Sequence, residues 1–90
     1  MEFKWHPKKA IANVQKHDIS FQEAATVFGD PLAITFEDPD HSLNENHYIT
    51  FVLSLQKRLL VVSHTERSNR TRIISARLLN RKERKIYEEG

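Results

Sequence analysis

Near the start of the chain, the spacing of apolar residues predicts a short strand followed by a helix. Apolar and polar side chains alternate over residues 3–5, as in a strand. Over residues 7–16, Ala10, Ile11 and Val14 recur at three- and four-residue spacing. This spacing predicts a helix that buries one narrow stripe, and a proline at its first position suits the start of a helix.

A second helix is predicted from a capping box. Ser20 can accept a hydrogen bond from the backbone N–H of Glu23, while the Glu23 side chain can reach back to the Ser20 backbone. The apolar positions then continue to about Phe28. The Gly-Asp-Pro sequence at 29–31 combines a flexible residue, a turn former and a helix breaker, so the helix should end there.

The middle of the chain alternates between apolar and polar residues in the manner of strands. The predicted strands cover residues 32–37, 49–55, 59–65 and 71–76. Short polar connections at 56–58 and 68–69 separate the last three, which should therefore form an antiparallel meander.

A terminal helix completes the predicted order β-α-α-β-β-β-β-α. Asn80 and Glu83 form a second capping signal, and residues 84–87 continue the helix. The expected fold class is α+β, with a mainly antiparallel sheet, two N-terminal helices and one C-terminal helix.

Composition limits the number of domains and the compartment. Ninety residues with 39% hydrophobic content fit a single domain, 1–90, because so short a chain cannot support a second core. The chain has no cysteine, which excludes disulfides, thiolate nucleophiles and cysteine zinc sites. The longest apolar run, at 59–62, is far shorter than the roughly 20 residues that span a bilayer, and no signal peptide opens the chain. We therefore expect a cytoplasmic protein without membrane contact.

Charge is distributed unevenly around a net value of +2. Residues 36–45 contain four carboxylates and no Lys or Arg. The final third is rich in cations: Arg67, Arg70, Arg72, Arg77, Arg81, Lys82, Arg84 and Lys85. Arginine can bind phosphate through two hydrogen bonds, so a polyanion is one plausible partner. A solvated, salt-bridged surface explains the same charges equally well.

Short motifs in a fixed order resemble one family of proteins along nearly the whole chain. In the first half these are Phe3-Lys4-Trp5, Asn13 with Lys16-His17, Ser20-Phe21 with Glu23-Ala24, Val27-Phe28 and Asp30-Pro31. In the second half they are Arg58-Leu59-Leu60-Val61-Val62, His64-Thr65 with Arg67, Arg72-Ile73-Ile74-Ser75-Ala76-Arg77, and Glu83-Arg84 with Tyr87. The ordered set resembles the BrnT family, the ribonuclease toxins of type II toxin–antitoxin pairs.

This resemblance implies a RelE-like fold, cleavage of RNA that inhibits translation, and neutralisation by a BrnA-like antitoxin. DNA would then be contacted only indirectly, through the antitoxin. One departure is His6, because family members commonly carry an acidic or amide residue there that caps the first helix better. His6 puts the start of that helix in question.

Metal-independent RNA cleavage needs a base for the 2′-hydroxyl proton, positive charge at the phosphate and an acid for the leaving oxygen. The motif positions with suitable side chains are His17, Glu23, His64, Arg67, Arg72, Arg77, Glu83 and Tyr87. Capping already explains the two glutamates, and packing of the last helix explains the tyrosine. The catalytic candidates are therefore Arg72, Arg67, Arg77, His64 and His17.

Strand pairing sorts some of these candidates onto sheet faces. A two-residue turn at 68–69 would pair Arg67 with Arg70 and Thr65 with Arg72, which places these four side chains on one face.

On the same reasoning, His64 and Arg77 would share the opposite face. Each candidate also has a purely structural explanation. An arginine such as Arg77 can pair with a helix carboxylate, and a histidine on an apolar strand is more often packed and hydrogen-bonded than catalytic.

Other functions are less well supported by the sequence. His41 and His47 lie near Asp38 and Asp40, but the helical His pair with Glu that binds zinc is missing. The chain has no glycine-rich phosphate loop, so no cofactor is expected. A non-catalytic module that binds RNA or antitoxin is the main alternative. A stand-alone transcription regulator is disfavoured because no DNA-recognition element stands out.

Overall fold

A computed structural model describes residues 2–38 and 46–89 of the protein. Its elements are β1 (Glu2–Lys4), α1 (Pro7–His17), α2 (Phe21–Thr26), a 3₁₀ turn (Val27–Gly29), β2 (Ile34–Glu37), β3 (Asn46–Leu53), β4 (Leu59–Arg67), β5 (Arg70–Leu78) and α3 (Arg81–Glu89). The predicted α+β class and element order are confirmed. The second helix is shorter than predicted, because its last residues adopt the 3₁₀ turn.

The five strands form one sheet in the order β1-β5-β4-β3-β2. Strands β2 to β5 form an antiparallel meander, and β1 pairs in parallel with the first residues of β5. The two-residue turn at 68–69 pairs Arg67 with Arg70 and Thr65 with Arg72, as predicted. Ser68 adopts a positive φ of 55°, a backbone conformation that suits so tight a turn.

A β-bulge interrupts the pairing of β4 with β5. Ser63 pairs with Ser75, but the next residue, His64, pairs with Ile73. Ile74 is the extra residue on β5, so the alternation of faces is shifted between Ile73 and Ser75. The bulge lies at the two consecutive isoleucines, Ile73 and Ile74.

The bulge overturns one prediction about the faces. His64 pairs with a residue of the main core, whereas Arg77 lies beyond the bulge and pairs with Val61, which belongs to a second cluster on the other side of the sheet. His64 and Arg77 therefore lie on opposite faces. The prediction that they share a face was wrong because it assumed uninterrupted alternation along β5.

One side of the sheet, here called the covered face, packs against α1 and α2. Its buried core comprises Ile19, Phe21, Ala24, Val27, Val52, Leu60, Val62, Ile73 and Ala76. Trp5 meets Phe21 edge-on, and Phe3 packs on Phe28, so the first strand joins this core through its aromatic residues. Burial of this apolar surface is the main driving force for the fold.

Helix α1 docks differently from the prediction. Ile11 and Val14 are 62% and 44% exposed, whereas Asn13 is buried. The helix begins at Pro7 as predicted, and His6 does cap it, since its Nδ1 accepts a hydrogen bond from the Lys8 N–H at 3.2 Å.

Asn13 completes the edge of the sheet. Its side-chain amide donates to the Ala76 carbonyl at 2.8 Å, and its Oδ1 accepts from the Ala76 N–H at 3.1 Å. The same amide donates to the Ile19 carbonyl at 2.9 Å. Because β1 pairs with β5 only at Arg70–Arg72, Asn13 supplies the hydrogen bonds that a neighbouring strand would otherwise make.

Among residues 2–38 and 46–89, only α3 covers the opposite side of the sheet, here called the open face, and it does so at one end. There Tyr87 packs on Phe51, Val61 and Leu79. The predicted cap at the start of α3 is confirmed in both directions: Asn80 Oδ1 accepts from the Glu83 N–H, and Glu83 Oε1 accepts from the Asn80 N–H, each at 2.9 Å. Within the described residues, no helix has the length and apolar character needed to span a membrane.

Candidate functional site

Cationic side chains gather at the uncovered end of the open face. Arg67, Arg70 and Arg72 lie on this face because side chains alternate along β4 and β5. The residues next to them in each strand lie on the covered face. Lys4 joins them from β1, where it is in register with Arg72. All four residues are exposed.

One row of side chains crosses the sheet through this basic region. His47 on β3 pairs with Thr65 on β4, which pairs with Arg72 on β5. Thr65, the shortest side chain of the row, is only 2% exposed, so it is almost completely covered by neighbouring side chains. The row brings an imidazole, a hydroxyl and a guanidinium to the same face.

The next row across the sheet changes from polar residues on β4 and β5 to apolar residues on β3 and β2. Ser63 and Ser75 pair beside Ile49, and Phe36 lies at the end of that row on β2. Phe36 is partly exposed, and its ring centroid is 5.3 Å from that of Phe51. The open face thus offers cations at one end and an aromatic edge beyond them.

Arg77 also lies on the open face, but it is engaged by α3. Its two terminal nitrogens donate to the two carboxylate oxygens of Glu83 at 2.8 and 2.9 Å. The hydrogen bonds from Arg77 lower the pKa of Glu83 although burial opposes this, and the same pair raises the pKa of Arg77. The ion pair with a helix carboxylate that the sequence left open for Arg77 is present, and it fixes the start of α3 to the sheet.

His64 lies on the covered face and is 3% exposed. Its Nδ1 is 2.6 Å from Glu66 Oε2, and its Nε2 is 2.7 Å from Thr50 Oγ1. The ring meets Phe28 edge-on and stacks on Tyr48. Burial lowers the pKa of His64, and this outweighs the opposing effect of Glu66, so the neutral imidazole is favoured.

The hydrogen bonds of His64 extend across four strands. Glu66 Oε1 accepts from the Thr71 hydroxyl at 2.8 Å, and the hydroxyls of Thr50 and Thr35 are 2.9 Å apart. The order of Thr50, His64 and Glu66 is that of a hydroxyl, an imidazole and a carboxylate in a nucleophilic triad. Thr50 is buried, however, so this network ties the strands together beneath the helices.

His17 ends α1 and is half-buried on the helix-covered side of the sheet. The next residue, Asp18, has a positive φ of 57° and ends the helix. The sheet therefore separates the two predicted histidines, His17 and His64, from Arg67 and Arg72. Their predicted catalytic roles stay predictions.

Glu23 forms only half of the predicted capping box. Its backbone N–H donates to Ser20 Oγ at 3.0 Å, as expected. Its carboxylate instead accepts from the Ser54 hydroxyl at 2.8 Å and from two nitrogens of Arg58, whose Nε is 2.9 Å away. The hydrogen bond from Arg58 is the main reason that the pKa of this buried carboxyl is lowered. Arg58 also donates to the Asp18 carbonyl, so the group joins the β3–β4 turn to both helices.

Tyr87 anchors the end of α3. Its hydroxyl donates to Asp30 Oδ2 at 2.8 Å, and the same carboxylate accepts from the backbone N–H groups of Leu53 and Leu32. Burial, together with Asp30, raises the pKa of Tyr87 to about 12. Burial of Asp30 acts to raise its pKa, but the three hydrogen bonds that it accepts lower it overall.

The histidine on the same face as the arginines is His47, which the sequence suggested only as part of a metal site. The signal that would have found it is the alternation of β3, since His47 has the same parity as Ile49 and Phe51. His41 and Asp40 lie outside the described residues. Within residues 2–38 and 46–89, no three His, Cys, Asp or Glu side chains are arranged to hold a metal ion.

Comparison with known proteins gives one family. The family model described as the BrnT ribonuclease toxin of a type II toxin–antitoxin system matches residues 5–83 of the chain. No curated protein matches the chain in a sequence search.

Proposed function

Because the chain belongs to the BrnT family of ribonuclease toxins, we propose that it cleaves RNA on the open face of its sheet without a metal ion and thereby inhibits translation. The family supports the coarser role of an endoribonuclease toxin.

The observation that carries the proposal is the position of Arg67 and Arg72. Both extend from neighbouring strands onto the open face, at the end that no helix of the described residues covers. Arginine forks match the paired oxygens of a phosphodiester, and cations held on a rigid sheet need little reorganisation to stabilise charge that develops on it. RNA laid across these strands would meet Arg67 and Arg72 together.

The proposed reaction is attack of a ribose 2′-hydroxyl on the adjacent phosphate. The bond from 2′-oxygen to phosphorus forms, the bond from phosphorus to 5′-oxygen breaks, and the products are a 2′,3′-cyclic phosphate and a free 5′-hydroxyl. Arg72 and Arg67 would stabilise the extra negative charge of the phosphorane. Arg77, bound to Glu83, would hold α3 beside the substrate and contribute charge at longer range.

The partner in this proposal is a BrnA-like antitoxin that covers the open face. The cations on β4 and β5 and the exposed Phe36 at the β2 edge of the same face suit a partner segment that carries both carboxylates and apolar side chains. DNA would be contacted through the antitoxin alone. A meander of strands with two helices on one face and a terminal helix on the other is consistent with the RelE-like fold that the resemblance implies, and the site of action would be the cytoplasm.

The test is to incubate the purified chain with labelled RNA and with translating ribosomes in EDTA, and to map the new ends. New fragments with 2′,3′-cyclic phosphates that disappear when antitoxin is added are the expected result. RNA that is bound but stays intact under every condition, ribosomes included, would contradict cleavage and favour the non-catalytic binding module.

A further inference from the structure

We propose that His47 is the general base of this reaction and takes the proton from the 2′-hydroxyl. The inference rests on the proposed function, and it assigns the proton-transfer step to a residue of the open face.

The first argument is position. Of the four histidines in the described part of the chain, His6 caps α1, His17 ends α1, and His64 is buried beneath the helices. Only His47 extends from the face that carries Arg67 and Arg72. A proton-transfer group must reach the substrate directly or through one water molecule, so the face decides which imidazole can act.

The second argument is spacing. His47, Thr65 and Arg72 form one cross-strand row, and neighbouring strands lie about 5 Å apart, so the backbones of His47 and Arg72 are roughly 10 Å apart. Both side chains rise from the sheet on either side of a short threonine. Because Thr65 is 2% exposed, a nucleotide would lie across the top of this row and not between its side chains, with its phosphate toward the guanidinium and its ribose toward the imidazole.

The third argument is that His47 is held in place. It lies within the first residues of β3, and its carbonyl accepts a hydrogen bond from the Asp38 N–H at 2.9 Å. Its neighbour on the other face, Tyr48, stacks on His64. The backbone that carries the imidazole is therefore fixed from the covered side, and a fixed base is what efficient proton transfer requires.

In the proposed step, proton transfer to His47 accompanies bond formation at phosphorus. The neutral imidazole of His47 accepts the 2′-hydroxyl proton while the 2′-oxygen bonds to phosphorus, and Arg72 contacts the phosphate oxygens. The 5′-oxygen leaves and takes a proton from water, which gives the cyclic phosphate and the 5′-hydroxyl. The imidazolium then returns its proton to solvent.

The experiment compares His47→Gln with a matched control, His6→Asn, in the full chain. His6→Asn also removes an imidazole, but asparagine can still cap α1. Cleavage is followed under single-turnover conditions across a range of pH with a short mixed-sequence RNA or, where cleavage requires it, with messenger RNA on ribosomes. Affinity is measured separately with the same RNA carrying 2′-O-methyl groups, which removes the attacking hydroxyl. Thermal melting checks that each variant is folded.

We expect His47→Gln to cut RNA on the order of 10²- to 10⁴-fold more slowly, with little change in affinity or melting temperature. The wild-type rate should fall on acidification as the imidazole is protonated, and this limb of the pH profile should be missing in His47→Gln. His6→Asn should match the wild type in rate and pH profile.

Three results would overturn the inference. Wild-type cleavage by His47→Gln would remove His47 from the reaction and leave the proposed function intact. A slower variant that keeps the acid limb, or that loses affinity in proportion to rate, would show a binding or structural role instead of a base. Intact RNA with the wild-type chain would overturn both this inference and the proposed function.

Discussion

The two faces of the sheet use polar side chains in opposite ways, although the same strands supply both. On the covered face, His64, Glu66 and Thr50 are joined by short hydrogen bonds beneath a helix layer. On the open face, Arg67 and Arg72 extend where none of the described helices covers them. Buried polar groups must be paired because an unpaired one costs about 1–3 kcal/mol, whereas Arg67 and Arg72 are exposed to solvent and can be reached by a ligand. We infer that the covered face provides stability and the open face provides function.

The largest effect expected from this comparison is loss of activity on the open face. Arg72→Ala should slow RNA cleavage on the order of 10²- to 10³-fold, as removal of one stabilising donor does in other active sites. Its free energy of unfolding should change by less than about 1 kcal/mol, because Arg72 is exposed and exposed charged groups contribute little to stability.

The assay is single-turnover cleavage together with thermal melting, and Lys16→Ala is the matched control, since Lys16 is an exposed cation on α1. The same two variants can be compared in cells by expressing them without antitoxin. Arg72→Ala should relieve growth arrest, and Lys16→Ala should not. Unchanged toxicity in that variant would remove Arg72 from the site.

On the covered side, the largest expected effect is on stability. Asn13→Ala removes three hydrogen bonds and leaves the N–H and carbonyl of Ala76 and the carbonyl of Ile19 without their partner. The free energy of unfolding should fall by about 3 kcal/mol, because each buried orphan group costs about 1–3 kcal/mol. Chemical denaturation measures this change.

Gln15→Ala, on the exposed side of α1, is the control and should cost under about 0.5 kcal/mol. Cleavage per folded molecule should be preserved in Asn13→Ala. A variant with normal stability and no cleavage would reverse the division of roles between the faces.

Anchoring of α3 should have a smaller effect. Tyr87→Phe removes the hydrogen bond to Asp30 and should cost about 1 kcal/mol, the usual value for one such bond. A double-mutant cycle with Asp30→Asn, measured by chemical denaturation, isolates the pair. A coupling energy near zero would mean that α3 is held by Arg77 and by apolar packing instead.

The smallest effect concerns the pH dependence of stability. Burial lowers the pKa of His64 below its ordinary value of 6.5, so the unfolded chain binds this proton more readily than the folded chain. The contribution of His64 to the free energy of unfolding is therefore fully present above pH 6.5. It is lost as the pH falls from 6.5 toward the pKa that His64 has in the folded protein. The melting temperatures of the wild type and of His64→Gln are measured across this pH range. On the acid side, the melting temperature of the variant should fall less steeply with decreasing pH. Equal slopes would mean that His64 is not the group responsible.

Much of the fold is predictable from local sequence patterns. The strands, the two-residue turn at 68–69 and the cap formed by Asn80 and Glu83 all follow from spacing and turn chemistry that act within a few residues. The docking of α1 was not predictable in this way. Asn13 is polar, and its burial depends on Ala76, which lies 63 residues away in the chain.

The face of each candidate residue was only partly predictable. Pairing across the turn placed Arg67 and Arg72 correctly, because no irregularity separates them from it. The bulge at Ile74 shifts Arg77 onto the open face. No local sequence signal predicted where this bulge would lie. His47 was missed as a residue of this face because its strand was predicted to begin at residue 49 instead of at Asn46.

The central claim, that RNA occupies the open face, is tested most directly by side-chain NMR during titration with a 2′-O-methyl RNA that cannot be cut. The open-face reporters are the arginine Nε–H signals of Arg67 and Arg72 and the methyl groups of Ile49, and the covered-face reporters are the methyl groups of Ile19, Val52 and Ile73. We predict that the open-face signals shift with RNA and that the covered-face signals stay unchanged. Shifts confined to the covered-face methyl groups would contradict the assignment of function to the open face.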